Sequence, residues 1–387
     1  MKTNTKITTL GRNPQKYDGV VNPPVYHAST ILFKDYEAYK DSRKGGYINA
    51  SYGRYGTPPI IAFAAALAEL DGGAGAMITA SGAAAQTTAL LSVLSSGDHL
   101  LITDSVYDPT RKFCNMELKR WGVETTYFDP NIGAGIEALF KPNTKAVFLE
   151  SPGSLTFEIQ DVPAIAAIAH KHGAAVILDN TWAAPILNKP FELGVDISAY
   201  SATKYVSGHS DLIMGVISAN EKYLPIVEQT HKNLGACPGP DDVYLAQRGL
   251  RTLGVRMKQH ETAALEIAKW MKTLPEVTQV LHPALPDCPG HELWKRDFNG
   301  SNGLFGFKVK PCSEAAIAAF VDGLHHFGMG YSWGGYESLI LRLWLTNIRS
   351  LPQKDDDIYF RIHIGLEDID DLKEDLEAGF KRMRALA

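Results

Sequence analysis

Several short runs of this chain are apolar without alternation, and that pattern admits few folds. Leu100-Leu101-Ile102, Ala146-Val147-Phe148-Leu149 and Ala175-Val176-Ile177-Leu178 are each bounded by turn or helix-start residues. A strand with no polar face must be covered on both sides, which is the condition of a parallel sheet buried between helices. Helix signals fill the intervals. Pro58-Pro59 opens one helix that Gly72-Gly73 closes, Ser81-Gly82 opens an Ala-rich one, Asp108-Pro109 starts one that reaches Gly122, and Asp161 with Pro163 starts one that stops at Gly173. Strands are expected at residues 77–79, 99–103, 123–128, 145–149, 174–178 and 197–200. Together these predict an α/β fold with a mostly parallel central sheet flanked by helices over residues 58–235. Residues 236–387 read as a smaller C-terminal α+β domain, with a long helix over about 242–270, strands at 304–309 and 338–343, and a final helix. Residues 1–57, with Pro14, Pro23, Pro24, a Gly45-Gly46 pair and many aromatics, read as an irregular arm. An arm of this kind needs a surface to lie on, such as a neighbouring subunit.

Composition removes whole classes. Hydrophobic residues make up 45% and charged residues 21% of the 387, which supports a large core and excludes a disordered chain. Lys plus Arg total 38 against 43 Asp plus Glu, with no basic run, so no nucleic-acid partner is expected. No apolar stretch reaches the length of a membrane span and no leader-like segment opens the chain, so no membrane partner is expected and the cytoplasm is the expected location. Cys114, Cys237, Cys288 and Cys312 are widely spaced. They form neither a disulfide framework nor a zinc motif, so no metal is expected. Cys114 and Cys237 read as buried small residues. His325-His326 reads as a surface pair.

In a doubly wound sheet, ligands bind beyond the carboxyl ends of the strands. There the chain places Asp179-Asn180-Thr181 and Ser201-Ala202-Thr203-Lys204. Asp179 alone reads equally as a strand-end cap. Lys204, flanked by small hydroxyl residues after an apolar strand, reads as a buried amine able to form a Schiff base rather than as a snorkelling surface lysine. Ser81-Gly82-Ala83 opens a helix directly after a strand and offers backbone amides to an anion, although it matches no Walker or dinucleotide motif. An amine for an aldehyde, a carboxylate for a ring nitrogen, and hydroxyls and amides for a phosphate are the parts that pyridoxal 5'-phosphate needs.

Longer motifs point the same way. Ser201-Ala202-Thr203-Lys204-Tyr205 with Gly208-His209-Ser210-Asp211, Tyr52-Gly53-Arg54-Tyr55-Gly56-Thr57, Leu178-Asp179-Asn180-Thr181 and Arg248-Gly249-Leu250-Arg251-Thr252-Leu253 resemble the fold-type I pyridoxal-phosphate enzymes of cysteine and methionine metabolism. The resemblance covers essentially the whole chain. Glu150-Ser151-Pro152-Gly153-Ser154, Asn180-Thr181-Trp182-Ala183-Ala184 and Tyr331-Ser332-Trp333-Gly334-Gly335-Tyr336-Glu337-Ser338 resemble the β-lyase branch. The asparagine usual in γ-type members falls on Ser154 or Leu155.

The resemblance implies a set of roles. Lys204 would hold the cofactor and act as general base. Asp179 would pair with the ring nitrogen, and Tyr107 would stack on the ring. Gly82, Ala83, Ser201 and Thr203 would hold the phosphate. Tyr52 and Arg54 would reach the phosphate in a neighbouring subunit, within a homo-oligomer that is a dimer of dimers. Arg361 would clamp the substrate carboxylate, helped by Ser332 and Trp333, although Trp333 also reads as a pocket wall. The role of Tyr55 stays open. The implied reaction is β-elimination of L-cystathionine to homocysteine, pyruvate and ammonia. The alternatives are γ-elimination, γ-replacement or cysteine desulfhydration on the same scaffold, and a non-catalytic regulator of the same fold.

Overall fold

A computed structural model describes residues 1–42, 51–346, 348–353 and 355–386. The Gly45-Gly46 pair lies outside them. The chain begins with helices α1 (Thr3–Thr9), α2 (Tyr36–Ser42) and α3 (Pro58–Asp71). Then follow β1 (Gly75–Thr79), α4 (Gly82–Val93), β2 (His99–Thr103), α5 (Asp108–Phe113), β3 (Glu124–Phe128), β4 (Thr144–Glu150), α6 (Val162–Lys171), β5 (Ala175–Asp179), β6 (Ile197–Ser201) and β7 (Gly215–Ala219). Helix α7 (Leu224–Leu234) leads to the long α8 (Pro240–Met271). The remainder holds β8 (Val277–Leu281), α9 (His291–Asp297), β9 (Leu304–Val309), α10 (Glu314–Val321), β10 (Phe327–Gly328), β11 (Ser338–Leu343), β12 (Ile358–His363) and α11 (Ile369–Arg384).

The first sheet has the order β1-β7-β6-β5-β4-β2-β3. Only β7 runs against the rest, pairing antiparallel with both β1 and β6. Every residue of β2, β5 and β7 is buried, as strands without alternation require. Sequence reasoning has no strand at 215–219. A parallel neighbour needs a crossover of a dozen or more residues, usually helical. The 202–214 connection forms no helix, so the chain turns back beside β6 and the lysine-bearing loop is pinned between adjacent strands. The helix expected from Asp108 to Gly122 is broken in character. It is α-helical to Phe113 and passes into a π turn at Cys114–Leu118.

The second sheet has the order β10-β11-β12-β9-β8. β8 and β12 join the two strands that the sequence marks. Its core includes Phe307 and Phe360, whose rings stack with centroids 5.1 Å apart. Helix α8 ties the two bodies together. Val243, Leu250, Leu253 and Met257 pack with α3 and the first sheet, whereas Ala263, Ala264, Ile267 and Met271 pack beneath the second.

Part of the expected arm is regular. Helix α1 lies on α8, with Ile7 buried between them. Arg251 donates to the carbonyls of Ile7 and Leu10, each at 2.8 Å. These are C-terminal carbonyls of α1, which a helix leaves without internal partners. Cys114 is buried, but Cys237 is half-buried, just past the left-handed turn at Gly235 that ends α7. His325 and His326 lie in a bend after α10 rather than on a helix, and their amides donate to the Asp375 carboxylate. Among the described residues no helix is long and apolar enough to cross a membrane.

Replacing Arg251 by Met removes both bonds to α1 while keeping most of the side chain's bulk. Amide exchange over residues 3–10 is expected to accelerate while the strands keep their protection, with a loss of about 1–3 kcal/mol in global stability. Unchanged exchange in α1 would show that the apolar contact of Ile7 alone holds it.

Candidate functional site

Groups beyond the carboxyl ends of the parallel strands meet groups from the middle of the second sheet at a cleft. Asp179 ends β5 and Lys204 follows β6 by three residues. Tyr107 stands between β2 and α5 with a half-exposed side chain. Arg361 lies on β12, in register with Leu341 of β11 and Gly306 of β9.

One residue joins the amine and the guanidinium. Lys204 Nζ donates to Ser332 Oγ at 2.6 Å, and Arg361 Nη2 donates to the Ser332 carbonyl at 3.0 Å. Ser332 has φ +80°, an uncommon conformation for a non-glycine residue that marks a constrained turn. The Lys204 amine also lies 5.3 Å from the centre of the Trp333 ring, and Trp333 in turn packs on Tyr205 with centroids 5.5 Å apart.

Burial and the neighbouring Arg361 charge lower Lys204 from the ordinary 10.5 to about 8, against the opposing pull of Asp179. About a tenth of this amine is therefore uncharged at neutral pH, against less than about a thousandth of an ordinary lysine. Burial also lowers Arg361 to about 10, so it stays a cation at neutral pH. Asp179 is raised to about 6 by burial, opposed by the Thr181 hydroxyl and amide and by Lys204. The Thr181 hydroxyl and amide donate to Asp179 Oδ1 at 2.5 and 3.0 Å and aim that carboxylate.

The helix side of the cleft suits an anion. At the start of helix α4 the Ala84 amide donates to Ser81 Oγ and the Ala85 amide to the Ser81 carbonyl, each at 3.0 Å. The Gly82 and Ala83 amides precede these at the open, positive end of a twelve-residue helix. A Cβ on Gly82 would lie 2.7 Å from Ser201 Oγ, so glycine lets that serine close the end of the helix. The Ser201 amide donates to Thr181 Oγ1 at 3.0 Å. Thr203 Oγ1 accepts the Met214 amide at 2.9 Å and donates to the Met214 carbonyl at 3.2 Å, so it also staples the loop that carries Lys204.

These groups fit pyridoxal phosphate. A buried carboxylate suits a protonated ring nitrogen, an amine of lowered pKa suits an aldehyde, and a helix end with a close-packed glycine suits a phosphate. Lys204, Asp179, Tyr107, Gly82, Ala83, Ser201 and Thr203 would hold it. Lys204, Asp179, Tyr107, Arg361, Ser332 and Trp333 share one cleft. Tyr52 and Arg54 lie elsewhere in the chain. Arg54 donates to the carbonyl of Lys232 at the end of α7 and to the Tyr55 hydroxyl, and Tyr52 is exposed with its ring against Tyr55.

Several residues at the site escape sequence reasoning. Glu150 ends β4 in register with Asp179, and its Oε2 accepts the Tyr107 amide at 2.7 Å. Burial, then the adjacent Asp179 charge, raise the Glu150 carboxyl well above its ordinary value. Two neighbouring apolar strands that each end in a carboxylate are the signal that finds it. Asp104 anchors the loop bearing Tyr107. Burial alone would raise its carboxyl, but the Ser350 and Leu351 amides and the Arg111 guanidinium outweigh that and hold it below the ordinary range. Arg349 donates to the Asp104 carbonyl at 2.6 Å and to Thr156 Oγ1 at 2.5 Å, joining the loops after β2 and β4.

The sequence pattern described as Cys/Met metabolism PLP-dependent enzyme matches residues 4–381. A cystathionine β-lyase of Escherichia coli is 43% identical over 99% of this chain and 99% of its own. An L-alanine/L-glutamate racemase of Wolbachia pipientis is 40% identical over 100% of this chain and 98% of its own. The crystal structure of a cystathionine γ-synthase from Xanthomonas oryzae, in complex with aminoacrylate and cysteine, superposes with a TM-score of 0.91 at 32% identity over 100% of both chains.

The lowered pKa of Lys204 has a direct chemical consequence. The rate at which the cofactor-free protein captures an aldehyde such as pyridoxal phosphate is expected to rise with pH and level off above about pH 8, since only the free amine attacks. Arg361→Leu removes a charge that disfavours the ammonium, so its midpoint is expected at higher pH. Asp179→Asn removes a charge that favours the ammonium, so its midpoint is expected lower. Stopped-flow absorbance across a pH series reads all three. A midpoint near that of an ordinary lysine in the parent protein would contradict the burial.

Proposed function

Because the chain belongs to the pyridoxal-phosphate-dependent enzymes of cysteine and methionine metabolism, we propose that it is a carbon–sulfur lyase that splits L-cystathionine by β-elimination. The observation that carries this reading is the double use of Ser332, which fixes the Lys204 amine and the Arg361 guanidinium on one turn. An amino acid whose carboxylate pairs with Arg361 thereby presents its α-carbon to Lys204. The β-lyase relative, similar along its full length, supports cystathionine as substrate.

Each residue has a task. Arg361 takes the substrate carboxylate in a bidentate pair and keeps its own proton at neutral pH. Asp179, aimed by Thr181, would pair with the ring nitrogen and favour its protonated form. Tyr107 would cover one ring face and exclude water from it. Bound at Lys204, pyridoxal phosphate supplies the electron sink for the pair left at the α-carbon. The Lys204 amine, in its uncharged form, would take the α-proton of the substrate as general base. The β-carbon–sulfur bond then breaks with its electrons on sulfur, which gains a proton and leaves as homocysteine. Water hydrolyses the remaining three-carbon fragment to pyruvate and ammonia.

The working form in this proposal is a homo-oligomer, a dimer of dimers, in which Tyr52 and Arg54 serve a neighbouring subunit's phosphate site. Exposed Leu32, Tyr36, Tyr39 and Tyr52 near the start of the chain support a covered surface there. The four unpaired cysteines agree with a reducing, cytoplasmic setting.

The deciding measurement is the keto acid released from L-cystathionine. Pyruvate with homocysteine is expected, and 2-oxobutyrate would assign γ-elimination instead. Lys204→Ala is expected to lower kcat by at least about 10^3-fold, since it removes both the attachment point and the base. Undiminished pyruvate release by that variant would overturn the assignment of Lys204.

A further inference from the structure

The turn that carries Ser332 and Trp333 rests on a histidine that the reaction does not use. His363 lies two residues beyond Arg361 on β12 and is 1% exposed. Its Nε2 accepts the Gly334 amide at 3.1 Å, and its Nδ1 donates to the Glu337 carbonyl at 3.1 Å. An amide can only donate, so Nε2 must be bare and the ring proton must sit on Nδ1. Both nitrogens are therefore committed, and the geometry specifies one neutral tautomer.

The turn leaves little room for an alternative. Gly334 has φ +85°, and a Cβ on it would lie 2.9 Å from the Tyr205 nitrogen and 3.1 Å from Lys204 Cα. The turn is thus pressed directly onto the backbone that bears the reactive lysine, with the imidazole as its support on the other side. Residues 332–334 have no regular secondary structure to fix them, and two of the three hold positive φ.

We propose that His363 is a positioning residue, which as a neutral imidazole locks the Ser332-Trp333-Gly334 turn so that Ser332 faces both Lys204 and Arg361. This rests on the reading of Lys204 and Arg361 as the groups that receive an amino acid. The surroundings favour the neutral ring. Lys204 and Arg361 are cationic neighbours, the Tyr205 ring is 5.9 Å away and the His260 ring lies tilted at 5.2 Å. Glu337 meets His363 through its carbonyl, while its carboxylate accepts from Ser210 at 2.5 Å. His260 donates from Nδ1 to the Ile364 carbonyl at 2.8 Å, and burial lowers its pKa to about 4, so it is a neutral neighbour at pH 7. Burial, then His260, Arg361 and Lys204, lower His363 well below the ordinary 6.5, opposed by the Glu337 carbonyl. A proton on Nε2 would face the Gly334 N–H and open the turn.

The test uses the cofactor-loaded protein and glycine, an amino acid with no leaving group, so elimination plays no part. Half-saturation by glycine is read from the cofactor's absorbance. His363→Leu keeps the bulk and removes both bonds, and is expected to raise half-saturation by roughly tenfold or more at unchanged cofactor content. His363→Gln places an acceptor near the Nε2 position and is expected to return it to within about threefold of the parent. A folded, fully loaded Leu variant with parental glycine binding would overturn the proposal. Should the Leu variant lose its cofactor, the Gln variant and nitrogen-15 spectra of histidine-labelled protein decide. The resonances missing from His363→Gln are expected to show the Nδ1–H tautomer and no titration between about pH 6 and pH 8. An Nε2–H tautomer or a titrating ring would overturn the proposal. Glycine binding reports on the turn even if cystathionine proves not to be the substrate, so the two readings fail separately.

Discussion

An amine held beside a guanidinium in a largely dry cleft is a costly arrangement, and much of the architecture serves to sustain it. Lys204 and Arg361 repel each other when both are charged, and burial denies them the water that would screen the repulsion. Among the described residues, the protein meets this with acceptors rather than with a counter-charge in direct contact. Ser332 offers its hydroxyl to one cation and its carbonyl to the other. Asp179 sits near enough to influence Lys204 but spends its hydrogen bonds on Thr181. The result is a lysine that gives up its proton readily and an arginine that does not, which is the division of labour that amino-acid chemistry needs.

The two groups come from different bodies of the fold. Lys204 stands on the loop between β6 and β7, and Arg361 stands on the central part of the second sheet. Their separation is therefore set by how the two sheets are mounted, and the common mount is α8. Its first half is built into one core and its second half into the other. Arg349 and Asp104 add a second tie near the cleft mouth, joining the late chain to the loops after β2 and β4.

Local signals made much of this legible. Strand 99–103 falls where an unbroken apolar run puts it, because burial on both faces leaves no other use for such a run, and strands also stand at the expected 304–309 and 338–343. Asp179 and Lys204 stand out because each follows such a strand. The reversed β7 is not legible, since Gly215-Val216-Ile217-Ser218-Ala219 differs little from its parallel neighbours and its direction follows from the connection. Glu150 acquires its character from a neighbour twenty-nine positions away in register with it, and His363 from a turn formed by residues about thirty positions earlier. Such properties arise from juxtaposition across strands. A one-dimensional reading sees the residue types but not the fields and bonds that change them.

The reversal of β7 has a mechanical meaning. Both ends of the lysine loop are clamped in adjacent strands, and Thr203 bonds straight across the loop to Met214. The main chain there acts as a fixed bearing. Any travel of the Lys204 amine falls to rotations about the four methylenes of the side chain, a short crank that sweeps a narrow arc. Reactivity is thereby confined to whatever molecule is placed on that arc, and loose approach from solvent meets a lever that does not reach it.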